Sequence, residues 1–420
     1  MLTTAANYTP DMAASYLGNS EGGTPLWFTG EGGLVTIAPP GAGKGQAQII
    51  PNLLSYNGPI IVLDIKGENW DLTHAYRAQN FGETLRFAPF ESVSNSYNPL
   101  DFIDTDDNAT LWDDARLAAE MLIVPRSTDD FWEARGRDLL AAILAHVKIK
   151  RADTQQTMEA VMDALYPSAG ERETFFGELS QSPLRALVRT GNVFEAMPEK
   201  QREGIYDSAR RHMEIWQSAR IERITSRSDW HPQDFWKPPW KTLYLSIPVG
   251  QVKTYASVLR IILGQHIKGL IDSAPSADAR RECGIPPILM LIDEMPQLGY
   301  MEPLVSAIEV GRSYGLRPWL FAQSVGQLQN TYRDADGLME MCYVQCFMNP
   351  EFDTARKLSA RLGYTERLLR GKREALAEPT ALMGPEFKDT ILTFMRGEPP
   401  VKLIKQMAFA DMQMRARMRA

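Results

Sequence analysis

The chain has 420 residues, enough for roughly two or three domains and a substantial core. Its composition is ordinary for a globular protein, with 44% hydrophobic and 23% charged residues, and its 3 cysteines are too few for a disulfide framework. The formal net charge of −7 argues against a surface coated for non-specific nucleic-acid binding, although it is compatible with a local basic channel. The sequence shows no apolar run long enough to span a membrane and no signal peptide, which predicts a cytoplasmic protein.

The first predicted element is an N-terminal arm at residues 1–25, which are small and polar with little periodicity. Strand-and-turn character follows at 26–106. Within it, Leu34-Val35-Thr36-Ile37 has the composition of a buried strand.

That strand runs directly into the small residues Ala38-Pro39-Pro40-Gly41-Ala42-Gly43-Lys44-Gly45. Backbone N–H groups in such a turn close round an anion while Lys44 adds a positive charge, which predicts a cradle for the phosphates of a nucleoside triphosphate. Ala38 replaces the first glycine of the usual pattern, and Gly45 stands where Ser or Thr would bind magnesium, so the metal ligand there is open. The alternative is a glycine-rich turn without a ligand. The candidate binding residues are Pro40, Gly41, Ala42, Gly43, Lys44, Gly45 and Gln46.

A long helical block follows. Between about residues 107 and 225, alanine, leucine, arginine and glutamate recur at helical spacing, which predicts an all-α domain. Its apolar residues Ile205, Ala209, Met213 and Trp216 repeat at helical spacing, so we expect them to face a core. Strand character returns at 226–408, with a C-terminal tail at 409–420, so the all-α domain is predicted to be an insertion between two parts of one nucleotide-binding domain.

A second apolar run, at residues 287–292, ends in two adjacent carboxylates, Asp293 and Glu294. Because side chains alternate along a strand, we expect the two to leave it in different directions, Asp293 into the shell of a magnesium ion and Glu294 toward the attacking water. Asp64, which follows the apolar run at 60–63, is the second candidate for the metal. A solvated loop after an ordinary strand is the alternative.

Two further residues complete the predicted site. Gln323 follows the apolar run at 316–322, where an amide would sense a terminal phosphate. Arg312 is a candidate to neutralise charge that develops on the γ-phosphate, an effect worth about three to five powers of ten in rate. Strands that alternate with helices require a parallel sheet with helices on both faces, and ligands then bind at the carboxyl ends of the strands. The predicted catalytic residues are Lys44, Glu294, Arg312 and Gln323.

Taken together, these motifs resemble those of type IV secretion coupling proteins, the conjugative DNA-transfer ATPases. The resemblance covers roughly residues 25–408. In chain order its carriers are TIAPPGAGKG at 36–45, IPNLL at 50–54, VLDIKGE at 62–68, YNPL at 97–100, IDEMPQLG at 292–299, GRSYGL at 311–316 and AQS at 322–324.

The resemblance implies an α/β fold in which a RecA-like nucleotide-binding domain with a largely parallel sheet carries the all-α domain. It also implies ATP and Mg²⁺ as cofactors and a homo-oligomer, a six-membered ring with nucleotide at the subunit boundaries. Arg312 is then a candidate to act across a boundary. The family's N-terminal membrane anchor is missing from the sequence as written. We therefore expect the protein to dock peripherally at the inner membrane through other components of the secretion system.

The function expected from this resemblance is that of an ATP-hydrolysing motor. It would recruit or translocate single-stranded DNA, bound to its relaxase, to a type IV secretion channel during conjugation. Two alternatives stay open: a nucleotide-regulated receptor for relaxase or effector proteins, and a double-stranded DNA translocase or helicase.

Overall fold

The computed structural model describes residues 2–4, 13–124, 130–367 and 372–419. The chain divides into two compact units. The first comprises Met1–Arg86, Gln233–Ser246 and Leu270–Ala420, and the second comprises Phe87–Pro232 and Ile247–Gly269. Within the described ranges, none of the helices combines the length and the apolar character needed to cross a membrane.

The first unit is built on a 12-stranded sheet, with a separate two-stranded hairpin. The strands of the sheet and the hairpin (β11 and β12) are β1 (Leu2–Thr4), β2 (Ser15–Asn19), β3 (Pro25–Phe28), β4 (Leu34–Ile37), β5 (Ile60–Leu63), β6 (Thr84–Phe87), β7 (Thr242–Leu245), β8 (Ile288–Ile292), β9 (Leu316–Ala322), β10 (Val344–Phe347), β11 (Tyr364–Arg367), β12 (Lys372–Ala375), β13 (Thr390–Met395) and β14 (Val401–Ile404).

Both units contain helices. In chain order they are α1 (Ile50–Ser55), α2 (Glu68–Asn80), α3 (Asn108–Leu122), α4 (Phe131–Lys150), α5 (Met158–Leu165), α6 (Ala169–Ser180), α7 (Arg185–Glu195), α8 (Glu199–Met213), α9 (Ala219–Ile224), α10 (Ala256–Asp272), α11 (Ala277–Glu282), α12 (Glu302–Glu309), α13 (Val325–Gln329), α14 (Ala335–Met341), α15 (Phe352–Leu362), α16 (Pro379–Leu382) and α17 (Met412–Arg417).

The sheet order is β1-β3-β2-β14-β13-β10-β4-β9-β8-β5-β7-β6. Adjacent strands from β10 through β7 pair in parallel, whereas the strands from β1 through β13 pair antiparallel with their neighbours and extend the sheet on one side. The predicted α/β fold with a parallel sheet is therefore confirmed. The antiparallel extension is an addition that the sequence analysis did not anticipate, because its strands are short and alternate with turns rather than helices.

The parallel strands are apolar runs because both of their faces are covered. Every residue of β4, β5, β8 and β9 is buried, as expected for strands that have helices on both sides. This burial fixes the register of the sheet, since a shift by one residue would exchange the two faces of each strand. The register in turn fixes where each strand ends.

Residues 15–19, which the sequence analysis assigned to an arm, form strand β2 of the sheet. At Tyr16, away from the pairing of β2 with β14 at Asn19, the buried side chain of Asn52 in α1 bonds the backbone: it accepts from the N–H of Tyr16 at 2.8 Å and donates to the Tyr16 carbonyl at 2.9 Å. Strand β2 has only 5 residues, and its first four are all buried, so no alternation of polar and apolar residues revealed it in the sequence.

Buried polar side chains also hold the start of the helix that follows β4. Thr36 donates its hydroxyl to Gln48 Oε1 at 2.8 Å and accepts from the Trp319 indole of β9 at 2.9 Å. This helix begins with a π-helical turn, Gly45–Ile49, in which Ile50 N–H donates to the Gly45 carbonyl. Buried hydrogen bonds therefore join β4, β9 and the π-helical turn Gly45–Ile49. They hold the preceding loop, residues 38–44, in place.

The second unit is mostly helical. Its longest helix, α4, packs against α3 and α8. The side chains of Ile205, Ala209, Met213 and Trp216 are all buried, which confirms the predicted core face. Compared with the predicted all-α domain at 107–225, this unit extends further at both ends and also includes Ile247–Gly269.

We predict that Asn52→Leu destabilises the first unit. The substitution leaves the buried N–H and carbonyl of Tyr16 without partners, at a cost of about 1–3 kcal/mol for each group. Urea unfolding followed by intrinsic fluorescence should show a lower midpoint. Asn80→Leu, the same change at an exposed position of α2, should leave the midpoint unchanged, and equal effects of the two substitutions would contradict the role given to Asn52.

Candidate active site

The predicted site residues meet because three adjacent parallel strands end together. In the order β4-β9-β8, Ile37 lies opposite Ala322, and Leu320 lies opposite Ile292. The loop that contains Lys44 follows β4, Gln323 follows β9, and the acidic pair follows β8. The carboxyl edge of the sheet therefore gathers side chains from distant parts of the sequence.

Lys44 lies at the centre of this group. Its ammonium is 3.0 Å from Asp293 Oδ1 and contacts Glu294 Oε1 directly. The amide of Gln323 donates to the other oxygen of Glu294, Oε2, at 2.9 Å. The side chains of Lys44, Asp293 and Glu294 are only 16%, 20% and 13% exposed, so their charges interact with little screening by solvent.

The expected divergence of Asp293 and Glu294 is wrong, because both carboxylates contact the same ammonium. Strand β8 ends at Ile292, so strand alternation no longer applies to the pair. Glu294 adopts a left-handed backbone conformation, with φ 51° and ψ 36°, and its N–H donates to Asp293 Oδ1 at 3.0 Å. Such a conformation costs a non-glycine residue roughly 1–3 kcal/mol, and it turns the Glu294 carboxylate toward Lys44.

Burial and charge act in opposite directions on these groups. Burial by itself lowers the pKa of Lys44, but the attraction and hydrogen bonds of the two carboxylates outweigh it and raise that pKa above its ordinary value. Burial raises the pKa of Asp293, and the positive charge of Lys44 offsets this only in part. The pair thus holds the lysine in its charged form at some cost to the ionised Asp293.

Asp64, the second candidate for the metal, follows β5, the neighbour of β8, and its carboxylate binds the first turn of a helix. Its carboxylate accepts from the backbone N–H groups of Asn69 at 3.3 Å and Trp70 at 2.9 Å, in the first turn of α2. Burial raises its pKa, and these hydrogen bonds work against that rise. The structure therefore gives Asp64 a role at the start of a helix.

Arg312 does not join the group around Lys44 within the same chain. It precedes β9, whereas Gln323 follows it; β9 has 7 residues, and at a rise of roughly 3.3 Å per residue its ends lie roughly 20 Å apart. At that opposite edge the side chain of Arg312 is 64% exposed and forms an ion pair with Glu31 at 3.5 Å.

The loop after β4 has the backbone of an anion cradle. Gly41 and Gly43 have positive φ angles of 78° and 90°, the kind of turn in which successive N–H groups point to one side. A Cβ atom built on Gly45 would meet nothing within 4 Å. The space that a Ser or Thr hydroxyl would take is open, and Asp293 and Glu294 bring to the site carboxylate oxygens, the kind of ligand that Mg²⁺ prefers.

Several residues of the site were missed by sequence reasoning. The side-chain Oε1 of Gln327 accepts from the Gln323 N–H at 3.0 Å, and Gln327 N–H donates to Ser324 Oγ at 3.1 Å. This is close to a capping box, and the Ser-x-x-Gln spacing was visible in the sequence.

The other contact that sequence reasoning missed joins residues near the C-terminal end to Gln46, and no local sequence pattern predicts it. Ala408 N–H donates to the Gln46 carbonyl at 2.9 Å, and Phe409 N–H donates to Gln46 Oε1 at 3.2 Å. The Gln46 carbonyl is free for this bond because the next donor of the π-helical pattern would be Pro51, which has no N–H.

Comparison with protein families gives one match along almost the whole chain. Residues 3–419 match the family model described as type IV secretory system conjugative DNA transfer. The chain is 27% identical to protein VirD4 of Rhizobium radiobacter over 92% of its own length and 59% of the relative. It is 24% identical to the conjugal transfer protein TraG of Escherichia coli over 81% of its own length and 56% of the relative. The chain thus spans less than two thirds of these curated relatives.

Among solved structures, the chain resembles the plasmid coupling protein TrwB in complex with the ATP analogue ADPNP. The TM-score is 0.69 at 16% sequence identity, and the match covers 89% of this chain and 85% of TrwB. TrwB in complex with ADP and Mg²⁺ matches with a TM-score of 0.68. At this level of identity the comparison supports the fold.

We predict that Asp293→Asn raises the thermal stability of the nucleotide-free protein at neutral pH. The pKa of Asp293 is raised in the folded state, so its ionisation costs stability; this cost appears as the pH rises above the ordinary aspartate pKa and is complete above the folded one. Replacing the carboxylate removes the cost, and the melting temperature should rise by roughly 1–3 °C.

The pH dependence of the difference in melting temperature provides the control. At a pH of about 4, close to the ordinary aspartate pKa, the melting temperatures of the two proteins should converge. A variant that melts below the parent protein at neutral pH would show that the attraction between Lys44 and Asp293 outweighs the cost of burying the charge.

Proposed function

Because the chain belongs to the type IV secretory system conjugative DNA transfer family, we propose that it is an ATP-driven coupling motor. It hydrolyses ATP and uses the energy to recruit or translocate single-stranded DNA, with its relaxase, to a secretion channel. The observation that supports this most is the meeting of Lys44, Asp293, Glu294 and Gln323 at one edge of the sheet. These are the groups that phosphoryl transfer to water requires.

The loop and Lys44 bind the phosphates. Backbone N–H groups around Gly41 and Gly43 donate hydrogen bonds to the phosphate oxygens. The Lys44 ammonium leaves its two carboxylate partners and binds the β- and γ-phosphates. Asp293 would hold the magnesium ion, which supplies positive charge on the phosphate oxygens. TrwB, which has the same fold, is solved with ADPNP and with ADP and Mg²⁺.

In this proposal Glu294 orients the attacking water. Its Oε1 is bound to Lys44 and its Oε2 to the Gln323 amide, so both oxygens are held before nucleotide arrives. Once a phosphate engages Lys44, Oε1 is released to accept a proton from water. Gln323 keeps its hydrogen bond to Oε2, so a movement of Glu294 also moves Gln323 at the end of β9. Gln327 at the start of α13 accepts from the Gln323 backbone N–H and would move with it.

Arg312 acts on the nucleotide of a neighbouring subunit. Within its own chain it lies at the opposite edge of the sheet, and its exposed guanidinium pairs with Glu31, whose side chain is also exposed. Exposed ion pairs of this kind contribute about 0–1 kcal/mol, so a γ-phosphate would displace Glu31 readily. A homo-oligomer, such as the six-membered ring implied by the resemblance, then completes each site.

We expect Lys44→Ala to abolish both ATP binding and hydrolysis, and Glu294→Gln to abolish hydrolysis while ATP still binds. The first substitution removes the charge that holds the phosphates, and the second keeps the side-chain shape but cannot take a proton. Binding is measured by calorimetry and turnover by phosphate release, with and without single-stranded or duplex DNA. Normal turnover by Glu294→Gln would refute the role of Glu294, and stimulation by duplex DNA alone would favour a double-stranded DNA translocase.

We expect a mixture of two inactive variants to regain ATPase activity. Arg312→Ala subunits keep intact Lys44 and Glu294, and Glu294→Gln subunits keep intact Arg312, so a boundary between the two kinds has one complete site. Phosphate release is measured across mixing ratios, with a maximum at intermediate ratios. Arg356→Ala removes another exposed, ion-paired arginine and should leave activity unchanged on its own. If the mixture stays inactive while Arg312→Ala alone is inactive, action across subunits is refuted.

A further inference from the structure

A cavity of about 720 Å³ lies in the second unit, and all of its described lining residues belong to that unit. Its walls come from the end of α8 and the residues that follow it, from Val124 beyond α3, and from the start of α10. Its volume falls within the range of small-molecule sites, roughly 300–1,000 Å³. Lys44 and the residues around it belong to the first unit, so the nucleotide site of the proposed function does not account for this cavity.

Positive charge predominates in the lining of this cavity. Three lining residues, Arg211, Lys253 and Arg260, carry a fixed positive charge, whereas one, Glu214, carries a negative charge. Among the residues that the structure describes, neither Arg211 nor Lys253 has a partner in an ion pair. Both side chains are exposed, so a ligand can reach them from solvent. The cavity therefore favours an anion.

Cations of the same helix that do not line the cavity have carboxylate partners. Arg210, which precedes Arg211 in α8, lies 3.2 Å from Asp207 and 3.7 Å from Glu203, and Glu203 also contacts Arg172. Positive charge at this end of α8 is thus compensated outside the cavity and left uncompensated beside it. Such a local charge suits a compact anion better than a nucleic-acid strand, which needs a basic groove along its backbone.

The start of α10 adds hydrogen-bond donors to the cavity. Ala256 and Ser257, the first two residues of this 17-residue helix, both line it. The first N–H groups of a helix have no partner within the helix, and the positive end of the helix dipole favours an anion. Lys253 stands just before this end, where the dipole disfavours a cation, so the stability of α10 does not account for its charge.

The side chain of Ser257 is a buried donor that lines the cavity. It is only 7% exposed, and its hydroxyl makes no hydrogen bond to the residues that the structure describes. A buried hydroxyl without a partner costs free energy, which a ligand oxygen would recover. Arg260, one turn further along α10 and on the same face, donates its Nε–H to the Met121 carbonyl at 3.3 Å, which holds the guanidinium near Ser257.

We propose that this cavity binds a free phosphate ester of nucleotide size, as a second ligand of the protein. The phosphate accepts hydrogen bonds from the start of α10, from the Ser257 hydroxyl and from Lys253 and Arg260, donors that suit phosphate oxygens. A bare phosphate would fill only a small part of the cavity, so the ligand has an organic part, which lies against the apolar side chains of Val124 and Ile215. This site holds no residue of the proposed ATPase site, so each stands without the other.

The test is calorimetry with two probes, AMP and the linear dinucleotide pApA. The whole chain carries Lys44→Ala, so that binding at the loop does not contribute. A probe should bind once per chain, and Lys253→Glu should weaken its binding about tenfold or more, because an attractive charge becomes repulsive. Lys200→Glu is the matched control: this exposed lysine lies about 16 Å along α8 from Arg211, and its reversal should leave the affinity unchanged.

Ser257→Ala separates binding from stability. Loss of a hydrogen bond to a charged phosphate should weaken the binding of the probe about tenfold. Because the hydroxyl has no partner among the described residues, the melting temperature of the ligand-free variant should be equal to that of the parent or higher. A lower melting temperature together with unchanged affinity would show a structural role and overturn the part given to Ser257.

Three outcomes overturn the proposal as a whole. One is that neither probe binds at millimolar concentration, and another is that Lys253→Glu and Lys200→Glu weaken binding equally, which would show a general effect of charge. The third is that a thymidine strand of about 12 nucleotides binds in a way that depends on Lys253 while neither short probe binds, because the cations would then contact a nucleic-acid strand. ATP binding by the parent protein is measured separately, so a failure here leaves the proposed function standing.

Discussion

The contact of one lysine with two carboxylates is the interaction on which the site depends. Lys44 is held at low exposure by Asp293 and Glu294, whose combined charge exceeds its own. A net negative centre of this kind would repel a polyphosphate, so the proposed function requires positive charge from other groups: partial charge from the loop N–H groups and full charge from a magnesium ion bound with the nucleotide. Under the proposed function, nucleotide binding would compete with the two carboxylates for Lys44 and would thereby couple occupancy of the loop to the position of Glu294.

The sheet converts that local contact into an ordered site. Parallel strands buried on both faces have one favourable register, and the register places the ends of β4, β9 and β8 side by side. The antiparallel extension brings the ends of β10 and β14 to the same edge. Residues far apart along the chain are thus positioned by backbone pairing, and side chains need only short reaches to meet.

The sequence alone predicted the features that depend on short, local patterns of residues. The loop at 38–45, the apolar strands and the acidic pair have patterns that follow from buried strands and anion binding, and the structure brings Lys44, Asp293, Glu294 and Gln323 together. It did not reach the direction of Glu294, which depends on a left-handed residue beyond the strand, or β2, a short strand without an alternation of polar and apolar residues. The separation of Arg312 from Gln323, by contrast, could be read from the sequence, because Arg312 precedes the apolar run at 316–322 and Gln323 follows it.

The backbone bond from Ala408 to Gln46 limits how the chain can vary. Since Pro51 leaves the Gln46 carbonyl without a helical donor, the connection that follows β14 must arrive at one fixed place with one fixed spacing. An insertion or deletion between Ile404 and Ala408 would move the Ala408 N–H out of reach. The Gln46 carbonyl oxygen beside the loop would then lose its hydrogen-bond donor. This short connection is therefore constrained in length rather than in composition, and it should tolerate exchanges of side chain far better than changes in the number of residues.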